Sequence, residues 1–190
     1  MFYSQQNDEF RRLKSYFENQ KSQISTQFEK ELGLVSPAEK LVMQNEYTEF
    51  MQKMDSVQNV AYLGALIRTR NEEDLHLLAK LNNIPDAKYQ NEITVPVYPG
   101  GMNALRAEVV SHFYMDAFSY LEQNVATSIE FVVDENGSII FVDAQGENGV
   151  LNTQASLAMY LLQGKFIPAI WKGRAVPHRL TMPIKLQIEE

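Results

Sequence analysis

The sequence holds no cysteine. That excludes disulfides, thiolate zinc sites and a cysteine nucleophile. It leaves the compartment open, because many bacterial envelope proteins also lack cysteine. No apolar run reaches the roughly 20 residues that cross a bilayer as a helix. Histidine is scarce: His76, His112 and His178 show neither HExxH nor His-x-His spacing. Satisfied or solvated histidines fit that pattern better than metal ligands. There is no Gly-x-Ser-x-Gly elbow and no Walker loop. Gly146-Glu147-Asn148-Gly149 follows an acidic strand end and lacks the phosphate-binding lysine, so it reads as a turn. Carboxylates cluster at Glu72-Glu73-Asp74, a favourable helix start, and at Asp134-Glu135, a hairpin loop. Neither cluster carries a sign of the cleft that catalytic carboxylates need. The sequence therefore offers little that points to catalysis, and it shows no metal-ligand spacing and no cofactor motif.

What is present is a chain of 190 residues with ordinary globular composition, 45% hydrophobic and 22% charged. It is long enough to bury a core as one large domain or two small ones. The net charge of -7 argues against nucleic acid as a partner. That charge is uneven. From Glu92 to Glu147 nine acids face one base, Arg106, whereas Lys165 to Lys185 holds five bases and no acid. Two readings fit the basic run, a solvated strand face or an anionic partner. Met1-Phe2-Tyr3-Ser4-Gln5 reads either as the end of a secretory signal whose beginning lies upstream, or as a plain terminus.

The pattern changes near residue 90, dividing the chain into a helical segment over 1–90 and a mixed domain over 91–190. Phe10, Leu13, Phe17, Ile24 and Phe28 form one apolar stripe and predict a helix from Asp8 to about Leu32. Gly33 stops it. Ser36-Pro37-Ala38-Glu39 is a capping box that opens a second helix. Met43, Tyr47, Phe50, Met54, Val57 and Ala61 then step as a heptad seam. A third helix is expected after Asn71, with Leu75, Leu78 and Leu81, ended by Asn82-Asn83-Ile84-Pro85. Two long amphipathic helices joined by a short turn predict an antiparallel hairpin. Two readings fit the stripes: they pack on each other and on the rest of the chain, or one is left over to pair with a second copy as a homodimer.

Beyond Pro85, Ile93 to Tyr98 reads as extended and Pro99-Gly100-Gly101 as a turn. Met102 to Tyr114 reads as a helix with Leu105, Val109 and Val110 inward. Ile129, Phe131 and Val133 alternate with Ser128, Glu130 and Val132, as in a half-buried strand. Asp134-Glu135-Asn136-Gly137 is a hairpin turn, and Ile139 to Val142 returns. Leu151 to Leu162 is a helix. Pro168 and Gly173 mark a loop that carries Trp171, the single tryptophan. Arg179 to Ile188 is a strand, with Leu180, Met182, Ile184, Leu186 and Ile188 on one face. Arg179, Thr181, Lys185 and Gln187 lie on the other. Pro183 lacks an N–H and marks that strand as an edge or a bulge. The class is α+β: a helical hairpin, then a three-stranded antiparallel sheet with two helices.

The segment from Thr94 to Ile188 resembles the C-terminal domain of TonB-like energy transducers, in the variant common in Bacteroidetes. Tyr98-Pro99-Gly100-Gly101-Met102 looks like that variant's opening turn. Phe131-Val132-Val133 through Gly137-Ser138-Ile139 looks like its strand–turn–strand. Leu151 through Ala155 looks like its second helix, and Phe166, Pro168, Gly173, Val176 and Pro183 look like its ending. The sequence departs from the family where Met115 follows Tyr114, at Asn124-Val125-Ala126, and at Phe166, where tryptophan is common. It also lacks a proline-rich spacer and an anchor within these residues, so energy transduction is not implied.

The resemblance implies a non-catalytic interaction module of the periplasm or cell envelope. In that family the last strand captures an extended segment of an outer-membrane transporter by strand addition. Carried over, Arg179, Thr181, Lys185 and Gln187 would flank the partner, with Trp171, Lys172 and Arg174 as further contacts. Two other readings remain. One is an enzyme with a site between the two halves, using His112 or His178 beside a carboxylate. The other is a binder of a small anionic ligand or glycan through Lys172, Arg174 and Arg179.

Overall fold

The computed structural model describes residues 3–81, 92–121 and 123–187, with side chains excepted at 3–7 and 70–81. The Asn82-Asn83-Ile84-Pro85 stop, the side chains of Leu75, Leu78 and Leu81, and Ile188 lie outside the described residues. The fold is α+β, and the chain divides into two compact units, Met1–Ile67 and Arg68–Glu190.

The first unit is built on helix α1 (Tyr3–Leu32) and on helix α2, which begins at Pro37. The turn between them is held by the expected capping box. The Glu39 carboxylate accepts the Ser36 N–H at 3.0 Å and the Ser36 hydroxyl at 2.7 Å. Both bonds, the hydroxyl's first, hold the Glu39 carboxyl below the usual carboxylate range. The helices run antiparallel. Phe28 stacks on Tyr47 at 4.1 Å between centroids, Lys21 bridges to Asp55 and Gln58, and Phe10 packs near Tyr62 at 6.4 Å.

Two expectations about the helical segment change. The helix expected after Asn71 is not separate, because α2 runs unbroken from Pro37 to Leu81. Asn71 and the acids behind it make a good cap, but no proline or glycine stands there to end the preceding turn. The heptad seam is also split. Tyr47 faces α1, whereas Phe50 and Val57 are exposed. A straight helix drifts about 20° per heptad from that repeat, so the contacts to α1 pass through Tyr47, Gln58 and Tyr62 and leave the other side of the stripe uncovered.

In the second unit, α3 spans Gly101–Ser111 and a 3₁₀ turn spans Met115–Phe118. Strands β1 (Val125–Val133), β2 (Ile139–Gln145) and β5 (His178–Leu186) form one antiparallel sheet in the order β2-β1-β5. Helix α4 (Gly149–Leu161) lies against β1 and β2, and α3 packs on α4. Asn148 caps α4 by accepting the Leu151 N–H at 2.8 Å. Ile129, Phe131, Val142, Met182 and Ile184 build the core beneath it.

Val110, expected inward, is exposed, because α3 presents only Leu105 and Val109 to the core. The expected loop over 168–173 is instead a two-stranded ribbon of β3 (Ala169–Trp171) and β4 (Arg174–Val176). Isolated bridges join Ile93 to Trp171 and Val97 to Ile167. Tyr98 and Phe166 meet edge-on at 5.0 Å, and Phe166 lies 5.7 Å from Phe131. The Tyr98 hydroxyl donates to Glu108 at 2.6 Å, while Glu108 also accepts the Gln163 N–H. Burial, then the Glu108 carboxylate, push the Tyr98 phenol up.

Candidate partner-binding edge

Strand β5 forms one border of the sheet, since its only paired neighbour among the described residues is β1. Which of its backbone groups face outward follows from the turn. The Asp134 N–H donates to Ser138 O at 2.8 Å, which aims the even-numbered amides of β1 at β2. Alternation then aims the odd-numbered amides of β1 at β5. Ile129 is paired with Met182, and Phe131 with Leu180. Leu180, Met182 and Ile184 are therefore the residues of β5 that bond to β1. Arg179, Thr181, Pro183 and Lys185 turn their backbone outward. Pro183 fits that parity, because the N–H it lacks would have pointed to solvent.

The side chains of Arg179, Thr181 and Lys185 stand on the exposed face of the sheet, and Gln187 is exposed just past its end. The Arg179 guanidinium donates to Glu130 Oε1 at 2.6 Å, so its charge already has a carboxylate partner on β1. Lys185 makes no ion pair with a described residue. The sequence pattern found the strand, its facing and the proline. It did not find Glu130 as the partner of Arg179, which reaches it diagonally across the two strands, since Thr181 is the residue directly opposite Glu130.

Trp171, Lys172 and Arg174 sit apart from that edge, on the other sheet. Trp171 ends β3, and its indole N–H donates to Glu92 at 3.3 Å. Lys172 and Gly173 form the two-residue turn of the ribbon, both with positive φ, at 50° and 77°. That is the mirror-image turn matching strand twist, with lysine where asparagine is usual. The Lys172 ammonium lies 4.7 Å from the Trp171 ring centroid. Arg174 is exposed and paired in register with Trp171. The seven candidate residues thus form two groups, a strand edge and a ribbon tip.

Other candidates are accounted for by local structure. The buried Asp134 accepts the backbone N–H groups of Asn136 at 2.9 Å and Ser138 at 2.8 Å, and so shapes the hairpin turn. His112 caps the C-terminus of α3, and His178 opens β5 opposite Val133. Burial holds the His178 imidazole below its usual range. Among the described residues no group of three or more acidic or histidine side chains is arranged to hold a metal ion. None of the described helices is long and apolar enough to cross a membrane. A shallow groove of about 370 Å³ between α1 and α2 is lined by Ile24, Phe28, Met43, Tyr47 and Phe50, with Glu31 and Glu46 beside it. Compared with protein-family models and with curated proteins, the chain finds no match in either.

Proposed function

We propose that this chain is a non-catalytic protein-interaction module whose outer β5 edge takes up an extended segment of a partner. The observation that carries the reading is the row of outward backbone groups at Arg179, Thr181 and Lys185, which no described strand satisfies. An incoming strand gains main-chain hydrogen bonds there, and the exposed side chains set its preference. Because Glu130 already holds Arg179, Lys185 and the basic run around it are what favour an acidic segment. Pro183 sets the register: it offers a carbonyl and no donor, so the facing partner residue receives no N–H. The resemblance to TonB-like C-terminal domains supplies the setting, a cell envelope in which the segment belongs to an outer-membrane transporter.

Peptides selected from a random library on the full chain test the reading. The expected binders are extended and acidic. Thr181→Pro removes a second outward N–H without touching the bonds to β1. It is expected to weaken those peptides by about two- to tenfold, the worth of one hydrogen bond at about 1.4 kcal/mol per decade. Unchanged affinity in Thr181→Pro would reject the edge as the binding site.

A further inference from the structure

We infer that the chain forms a two-fold homodimer through an antiparallel seam on α2, on a face that α1 leaves exposed. This goes beyond the strand-edge reading and does not depend on it.

The argument begins with exposure. Phe50 is 47% exposed, Val57 57%, Val60 64% and Ile67 62%. At about 100° per residue these side chains and Gly64 lie in one stripe of α2. The residues that meet α1, namely Tyr47, Asp55, Gln58 and Tyr62, centre roughly 150° around the helix from the centre of the stripe. Phe50 is the edge of the stripe nearest α1 and also borders the groove between the two helices. From Val57 to Ile67 the stripe is therefore open where α1 does not cover it, and Phe50 is left half exposed at its edge. Such a run of large apolar side chains along one helix is unusual on a surface that stays in water.

The spacing of the stripe identifies a second copy as the occupant. Phe50, Val57 and Gly64 repeat every seven residues, and so do Lys53, Val60 and Ile67. These are the two core positions of a coiled-coil seam. Only one antiparallel register pairs the whole set. With the two-fold axis between Gln58 and Asn59, Phe50 meets Ile67 of the second copy, Val57 meets Val60, and Lys53 meets Gly64. Each first-position residue then faces a last-position residue, as antiparallel layers require. The one charged side chain, Lys53, falls on the one glycine. There its stem covers the helix and its ammonium reaches water.

Charge decides against the parallel alternative. Parallel pairing would stack Lys53 on Lys53, and Glu46, one heptad before it, on Glu46. Like charges facing across a seam are destabilising. The antiparallel register separates both pairs.

The absence of cysteine makes the test direct. Sedimentation of the full chain over a roughly hundredfold concentration range should show mass action toward twice the 21.8 kDa chain mass. Val57→Glu with Val60→Glu should return the monomer with helix content unchanged, because both positions are exposed. Chains carrying Phe50→Cys and chains carrying Ile67→Cys, mixed and oxidised, should link to each other and not to themselves. A monomer at every concentration overturns the proposal. So does a dimer that survives the double glutamate variant, or disulfide linking of Phe50→Cys chains alone.

Discussion

The carbonyl oxygen of Phe166 occupies the place where a side chain on Gly137 would begin. A Cβ built there would lie 1.9 Å from that oxygen, and Gly137 has a φ of +75°. The Phe166 N–H in turn donates to the Gly137 carbonyl at 3.0 Å. The β1–β2 turn is thereby fastened to the segment that carries Phe166 between Tyr98 and Phe131. Gly137→Ala should cost about 2–5 kcal/mol, the sum of a left-handed backbone penalty and a forced displacement. The expected observation is a lower urea midpoint with an unchanged slope. A midpoint within error of the parent would contradict this account of the turn.

The ribbon turn makes the opposite prediction. Lys172 holds a φ of 50°, which costs a branched-free L-residue about 1–2 kcal/mol. Its ammonium recovers about 0.5–1 kcal/mol over the Trp171 ring at an exposed site. The strain is the larger effect. Lys172→Asn should therefore stabilise the protein by about 0.5–1 kcal/mol, read as a rise in Tm. A fall in Tm would show that the contact with Trp171 outweighs the strain.

Much of the second unit was legible because its signals are local. Asp134-Glu135-Asn136-Gly137 names its turn by residue type, and the alternation from Leu180 to Leu186 names both faces of β5. The proline at 183 narrowed β5 to an edge or a bulge, and the strand order makes it an edge. What stayed hidden was short or set at a distance. Strands β3 and β4 have three residues each, too few for alternation to register, and their turn carries lysine in place of asparagine. Helix α2 passes through Asn71 because capping residues permit a start without forcing a stop. The pairing of Arg179 with Glu130 joins residues 49 apart in sequence, so only the register brings them together. The Gly137–Phe166 contact is of the same kind.

His178 should make stability depend on pH near neutrality. Burial lowers its folded pKa below the ordinary value of 6.5. The folded state then binds fewer protons than the unfolded one, so the stabilisation is complete above that value and is lost as pH falls through it toward the folded pKa. Tm should drop as the buffer goes from pH 7 toward pH 5. His178→Gln should flatten that part of the profile. A slope unchanged by the substitution would assign the dependence to another group.

At lower pH the capping box should weaken. Glu39 has its pKa lowered by the Ser36 hydroxyl and N–H, so its contribution is present above the unfolded carboxylate value and is lost as pH falls through the folded one. The α1–α2 hairpin should lose helix signal over that range, and Glu39→Gln should show less of this loss. An identical acid profile in Glu39→Gln would remove the capping box from the explanation.

Amide hydrogen exchange along β5, with and without a selected acidic peptide, tests the strand-edge claim most directly. In the free protein the amides of Leu180, Met182 and Ile184 should exchange slowly, and those of Arg179, Thr181 and Lys185 quickly. Peptide binding should slow the second set. If Arg179, Thr181 and Lys185 stay fast while protection rises elsewhere, the outer edge of β5 is not where the partner binds.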